Sequence, residues 1–419
     1  MEMVDESLRE AAPTHVSIVA GPTVWMESEG VAQLARVAAQ PGCARAVGMP
    51  DLHPGRGIPI GAVFLFEGRV VPDLVGGDAG CGVLVLIGRR GGPRGDQLER
   101  RVRAAWDEAL LPDVDRGALL EAAWTRGPRG LATLPGVPDA LRELCLHPAF
   151  EEPASYRGES GERPSALTGT DAARFAAQLG SVGGGNHFAE IARVDRVADR
   201  AGAKRLGARA DAQVVMVHSG SRGLGAEVAA RYVGQILEGD ALDGYLADLR
   251  GAVRYARTNR LLCAWRLLQA AGLGSAARVA AAFDIVHNAV EPDGGPRYLH
   301  RKGAAPAAAD QPTVVLGSRG APSWLMRGLG CDACLSSVAH GAGRRMGRSE
   351  AYEKLRAKHR RRSLERSALG ARVLCDDPRL MYEEHPDAYK PIEPVIESLE
   401  RAGAATRVAS LQPLLTVKR

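Results

Sequence analysis

Six short segments of this chain set a polar or metal-capable side chain among glycines. They are Met49-Pro50-Asp51-Leu52-His53-Pro54-Gly55, Gly76-Gly77-Asp78-Ala79-Gly80-Cys81-Gly82, Gly183-Gly184-Gly185-Asn186-His187-Phe188, His218-Ser219-Gly220-Ser221-Arg222-Gly223, Gly317-Ser318-Arg319-Gly320 and His340-Gly341-Ala342-Gly343-Arg344. Glycine lets successive backbone N–H groups close around an anion such as phosphate. One such segment is an ordinary turn; six in one chain, most with His or Cys, point to a site. Asp78 and Cys81 are three residues apart in one glycine-rich turn, so both side chains can face one point. His218 and His287 each follow an apolar stretch, and His187 follows a glycine run. One carboxylate, one thiolate and three imidazoles suit a two-metal set for a borderline cation. A single histidine at a strand end is more commonly structural, and spacing alone does not make these residues converge. The chain has no His-Glu-x-x-His, and Cys331-Asp332-Ala333-Cys334 lacks a second Cys pair, so it reads as structural.

Nucleotide chemistry is constrained by what the lysines are not. No phosphate-binding loop of the Gly-x-x-x-x-Gly-Lys type is present. Lysine occurs only at 204, 302, 354, 358, 390 and 418, never as Lys-x-Asp-Gly, the usual nucleotidyl-transfer motif. A nucleotidyl-transferring chain of this kind needs another nucleophile, and a neutral imidazole can serve through a phosphoramidate. His340, in a glycine-rich loop beside Arg344 and Arg345, is the best placed.

The elements that must position these residues are mixed. The pattern predicts helices at 31–39, 98–111, 225–238, 245–270, 275–290, 349–367 and 391–402. It predicts strands at 58–66, 214–217 and 313–316, a loop at 150–165, and a hairpin plus loop at 292–312. No regular strand–helix–strand period or internal repeat is visible, which favours α+β over a doubly wound sheet. A length of 419 residues allows about three domains of ~150 residues or one large one. No apolar run approaches the ~18 residues of a membrane span. The acidic start Met1–Glu6 is not a secretory signal, and seven cysteines are too few for a disulfide scaffold. Together these predict a cytoplasmic protein. The formal charge of +5 is uneven: Arg344–Arg372 holds eleven Lys/Arg against three Glu, a net +8, which leaves −3 for the remainder. Such a run reads either as a solvated helix face or as a polyanion-binding face.

Taken together, these segments resemble the RtcB family of GTP-dependent RNA-splicing ligases. His287-Asn288, His300-Arg301-Lys302-Gly303-Ala304, Ala388-Tyr389-Lys390 and Val417-Lys418 share the likeness, in family order from about residue 49 to 418. The resemblance implies one large α+β domain over 1–419, with mixed sheets flanked by helices. It implies two Mn²⁺ ions bridged by Cys81, one completed by His218 and His287 and the other by Asp78 and His187. It implies that His340 attacks the α-phosphorus of GTP and carries GMP, that Asn186 contacts the phosphates, and that Glu190, Ser318, Ser323, Ala342, Gly343, Tyr389 and Lys418 bind guanosine. A carboxylate such as Glu190 suits guanine N1–H and N2–H₂ and discriminates against adenine. GMP would pass to an RNA 3′-phosphate, a 2′,3′-cyclic phosphate being opened first, and a 5′-hydroxyl would then displace GMP. Arg344, Arg345, Arg360, Arg361 and Arg362 are the candidate RNA contacts, and no membrane partner is expected. Departures from the family pattern are Gly77 for Tyr, Ala305 followed by no Thr, Arg319 for Met, Trp324 for Tyr, Ala339 for Ser and Pro391 for Asp; none removes an expected ligand or the nucleophile. An enzyme that only guanylylates RNA 3′ ends and a catalytically silent RNA-binding relative stay open, as do the RNA itself, the oligomeric state and any activating partner protein.

Overall fold

A computed structural model describes residues 15–160 and 169–418, with side chains from 172 onward in the second stretch. The acidic start and the last residues of the 150–165 loop lie outside the described residues.

Two sheets and a small ribbon organise the fold. The strands are β1 (Val16–Ile18), β2 (Cys43–Pro54), β3 (Pro59–Glu67), β4 (Gly82–Gly88), β5 (Phe188–Val197), β6 (Gln213–Ser219), β7 (Val279–Val286), β8 (Asn288–Pro292), β9 (Arg297–Lys302), β10 (Ala304–Pro306), β11 (Pro312–Val315), β12 (Ser323–Gly328), β13 (Ser337–Ala339), β14 (Arg372–Cys375) and β15 (Ala405–Lys418). The larger sheet runs β11-β12-β15-β5-β6-β4-β7, with β14 alongside β15. The second runs β1-β2-β3-β9-β8, and β10 pairs with β13. Pairing is antiparallel except for β1–β2 and β14–β15. This is an α+β fold, as the irregular order of elements predicts.

The centre of the larger sheet is buried on both faces. Val83-Leu84-Val85-Leu86-Ile87 and Val214-Val215-Met216-Val217 therefore read as continuous apolar runs, not as alternating ones. One face is covered by a helix of 33 residues, Gly239–Ala271, about 50 Å long at ~1.5 Å per residue. It ends at Gly272 in the left-handed conformation, φ 72°, whose N–H bonds back to Leu268 and Gln269. Its middle turns bury Arg254, Arg257, Asn259 and Arg260 along with the apolar residues, because Asn259 and Arg260 reach the loops at the sheet's edge while Arg254 and Arg257 reach the segment from Ala149 to Gly158.

One expected element is wrong. Residues 275–290 are not a helix: Val279–Val286 is an edge strand beside β4, and Asn288–Pro292 begins the β8–β9 hairpin. The alanines of Val279-Ala280-Ala281-Ala282 favour helix, but pairing with the buried β4 overrides that local preference. The helix expected at 349–367 also stops early, at Lys358, and continues as a 3-10 turn over Arg361–Glu365. The other expected helices and strands are present with shifted ends. Among the described residues no helix is long and apolar enough to cross a membrane.

Candidate active site

Antiparallel pairing explains how residues 200 apart in sequence meet. In the neighbouring strands β5, β6, β4 and β7, Phe188 faces His218, and Gly82 faces both Ser219 and Val286. The starts of β4 and β5 and the ends of β6 and β7 therefore share one edge. Cys81, His187, His218 and His287 sit at those four termini.

The side chains form a chain of close contacts. Asp78 Oδ2 lies 2.9 Å from His187 Nε2. Cys81 Sγ lies 3.3 Å from both His187 Nε2 and His218 Nε2, and His218 Nε2 lies 3.2 Å from His287 Nε2. Cys81 is thus central, with Asp78 and His187 on one flank and His218 and His287 on the other. The donor set fits cations. Burial holds the His218 and His287 imidazoles well below their ordinary range, so they are neutral and have lone pairs to donate. Burial, and after it Asp78, pushes the Cys81 thiol well up; without a cation it keeps its proton, and a bound cation would expel it. Nδ1 of His187 is buried with no hydrogen-bond partner.

The loops carrying these ligands are tied down from behind. Arg260 Nη1 donates to the carbonyls of Gly80 (2.7 Å) and Ser219 (2.8 Å), the neighbours of Cys81 and His218. Its other edge pairs with Asp284 at 2.8 and 3.1 Å, and Arg257 joins the same carboxylate at 3.0 Å. Asn259 bonds the Ser181 carbonyl and Ser219 Oγ, each at 3.0 Å, and Ser221 Oγ donates to Ala79 O at 2.6 Å. Gly220 is required for space, since a Cβ there would lie 1.9 Å from Asp78 Oδ1.

His340 follows β13 and enters the same cluster, its ring centroid 4.9 Å from that of His287 and 6.3 Å from that of His218. Its Nδ1 is 2.6 Å from Asp51 Oδ2. That approach lacks hydrogen-bond angles, and Asp51 Oδ1 has no partner either, so a small rotation of the ring would engage the pair. With Nδ1 facing the buried Asp51 carboxylate, Nε2 is the ring nitrogen turned away from it. Gly343 lets the loop fold over Asp51: its φ is 75°, and a Cβ would sit 2.4 Å from the Asp51 carbonyl.

Asp78, His218 and His340 form one wall of a cavity of about 1090 Å³. On its other walls are Asn186, Glu190, Ser318, Ser323, Ala342, Gly343, Tyr389 and Lys418, so all the residues expected to bind guanosine share it. Thr416 Oγ1 donates to Glu190 Oε2 at 2.6 Å. Burial lifts the Glu190 carboxyl to about 7 despite that bond and the Lys418 charge. Lys418 Nζ donates to Gly185 O and His187 O, each at 3.1 Å, which ties the Glu190 side of the cavity to the loop that carries His187. Ser323 Oγ accepts from Gly317 N at 3.0 Å and shapes the Gly317–Gly320 turn.

The candidate RNA arginines divide. Arg360, Arg361 and Arg362 are exposed. Arg344 instead lines the cavity, donating to Glu384 (2.8 Å) and Glu383 O (2.7 Å) and lying over the Tyr389 ring. Arg345 is exposed, but its Nε donates to Asp387 O at 2.8 Å.

The chain matches the family model described as tRNA-splicing ligase RtcB over residues 33–419. It belongs to the RtcB family. RNA-splicing ligase RtcB2 of Escherichia coli is 36% identical over 413 residues, covering 96% of this chain and 95% of that protein. RNA-splicing ligase RtcB of Mycobacterium bovis is 31% identical, covering 92% of this chain and all of its own length. tRNA-splicing ligase RtcB of Archaeoglobus fulgidus is also 31% identical, covering 94% of this chain and 92% of its own.

Three residues of this RtcB-family site escape a reading of the sequence. Asp51 lies inside a segment singled out for its glycine but suggests no role until His340 is seen beside it. Glu384 is a buried carboxylate that meets Arg344 and, at 3.7 Å, Lys418, and it accepts from the Tyr389 hydroxyl. Burial opposes its ionisation, but Lys418 and Arg344 hold its carboxyl below the ordinary range. No motif marks it. Arg260 reads as the polar face of a helix, and only its complete burial shows otherwise.

Proposed function

We propose that this chain is an RNA ligase that seals 3′-phosphate or 2′,3′-cyclic phosphate ends to 5′-hydroxyl ends, with GTP as the energy source. The observation that carries the reading is the position of His340: its Nδ1 faces Asp51, and its ring abuts a five-donor cluster at the wall of a cavity large enough for a nucleotide. The names of the relatives support RNA as the substrate.

In this reading Glu190 accepts from the guanine N1–H and N2–H₂, while Asn186 and the glycine-rich loop at Gly341–Gly343 receive the phosphates. Nε2 of His340 attacks the α-phosphorus, a P–N bond forms and pyrophosphate leaves. Asp51 takes the charge that develops on Nδ1–H. The RNA 3′-phosphate then breaks the P–N bond and acquires GMP, which frees His340. A 5′-hydroxyl attacks the RNA 3′-phosphorus, GMP leaves, and a phosphodiester remains; a cyclic phosphate consumes one water beforehand. Two manganese ions, held by Asp78 and His187 with Cys81 and by His218 and His287 with Cys81, would neutralise phosphate charge and polarise phosphorus. The whole chain, 1–419, acts as one unit in this scheme, in the cytoplasm.

Incubation with radiolabelled GTP and then with RNA fragments of defined ends tests it. Labelled protein, labelled RNA 3′ ends and sealed product are expected in turn. Label that reaches RNA without sealing would make the chain an end-guanylylating enzyme. No labelled protein at all would leave an RNA-binding relative.

A further inference from the structure

A second group of donors lies outside the cavity. His359 caps the C-terminus of the helix Arg348–Lys358, and His385 precedes the 3-10 turn Pro386–Ala388 that contains Asp387. The two imidazoles stack with centroids 4.4 Å apart and planes at 25°. Asp387 Oδ2 lies 3.9 Å from His359 Nε2 and 3.7 Å from His385 Nδ1. One donor atom from each of the three falls within 4.8 Å of the others. Ligands bound at ~2.0–2.1 Å in a tetrahedral zinc site stand roughly 3.3 Å apart, so closing this group takes a shift of Asp387 and a turn of one imidazole out of the stack, because ring lone pairs lie in the ring planes.

We propose that His359, His385 and Asp387 bind one borderline divalent cation of the zinc type, apart from the Cys81 cluster. Two imidazoles and one carboxylate, with water in the fourth position, are a set that suits zinc. Their surroundings select against harder cations. Arg345 donates to the Asp387 carbonyl at 2.8 Å, and Arg319 and Arg360 lie close to His385 and His359 in space and sequence respectively. With Asp387 alone supplying negative charge, magnesium or calcium gains little here, whereas a cation that prefers imidazole nitrogen still gains. Nδ1 of His385 now accepts from the Asp387 N–H at 3.1 Å, and the cation takes over that lone pair. A bound ion would join the end of the basic helix to the segment from Glu384 to Tyr389 that walls the nucleotide end of the cavity.

The test is a Co²⁺ titration of the full chain followed by visible and near-ultraviolet absorption, with Zn²⁺ competition. A cobalt ion on Cys81 gives a thiolate charge-transfer band, whereas one on His359, His385 and Asp387 gives only ligand-field bands. The full chain should bind one equivalent more than His359→Gln, and the variant should lose ligand-field intensity while keeping the thiolate band. Asp387→Asn, which leaves both imidazoles in place, should weaken the extra equivalent at least tenfold. Equal stoichiometry and equal spectra in the full chain and His359→Gln would overturn the proposal. A missing thiolate band in every form would instead count against the Cys81 cluster and would leave the second site to be judged by its own equivalent.

Discussion

Around Cys81 the coordinating and charged groups are almost all buried, and each is held by a neighbour: Asp78 by His187, Asp284 by Arg257 and Arg260, the loop carbonyls by Arg260 and Asn259. Along Arg360–Arg362 the guanidinium groups stand on the surface of a segment, Arg344–Arg372, whose own net charge is +8. Removing one partner from a buried pair strands the other in low dielectric, at a cost of ~3–5 kcal/mol. An exposed pair contributes ~0–1 kcal/mol and fades with salt. The buried edge should therefore fail at single substitutions, while the basic segment should respond in increments and through ionic strength.

The largest effect is expected at the centre of the buried edge. Cys81→Ala removes the side chain that lies 3.3 Å from a histidine of each flank, so bound manganese and all GMP transfer should be lost. Metal analysis and labelling with GTP check this; full manganese content in the active variant would break the contrast at its strongest point. Arg260→Met tests the support behind the ligands. With Arg257 still on Asp284, the loss should be near the lower end, about 3 kcal/mol by chemical denaturation, with weaker metal retention. A change below about 1 kcal/mol would place Arg260 with the surface arginines.

Glu190 gives an intermediate, pH-dependent effect. Burial pushes its carboxyl up to about 7, and the guanine contact proposed for it requires the ionised form as acceptor. Below that value the group is protonated and cannot accept both N–H groups, so GTP binding should weaken by up to ~10-fold per pH unit. Above it, affinity should level off. Glu190→Gln should bind GTP weakly and with a flat profile between pH 6 and 8, read by calorimetry. The smallest effect belongs to the basic segment. Arg360, Arg361 and Arg362 changed together to Ala should lower the salt slope of RNA binding by about 0.7 per lost phosphate contact. Guanylylation of the protein itself, which needs no RNA, should persist. An unchanged slope would mean a solvated face only.

How much of this was legible follows the same division. The candidate ligands Asp78, Cys81, His187 and His218 stand out because they sit in glycine-rich turns beside short apolar strands, a pattern set by local geometry. Their supports do not, because Arg260, Asp284 and Glu384 acquire meaning only from burial against distant segments. Of the strands, Ile58–Phe66 and Val214–Val217 show as apolar runs, whereas β15 hides behind Pro413, which sits at an irregularity in its pairing with β5. The 279–286 strand was masked by alanine, and its identity comes from the β4 neighbour it pairs with.

The most direct test of the central claim is the site of GMP attachment. Protein incubated with GTP and Mn²⁺ is trapped, digested and mapped by mass spectrometry, and the stability of the adduct to acid and alkali is recorded. The account predicts one GMP on His340, acid-labile and alkali-stable, absent from His340→Ala although that variant keeps its metals. GMP on Lys302 or Lys418, or an adduct that survives in His340→Ala, would contradict it.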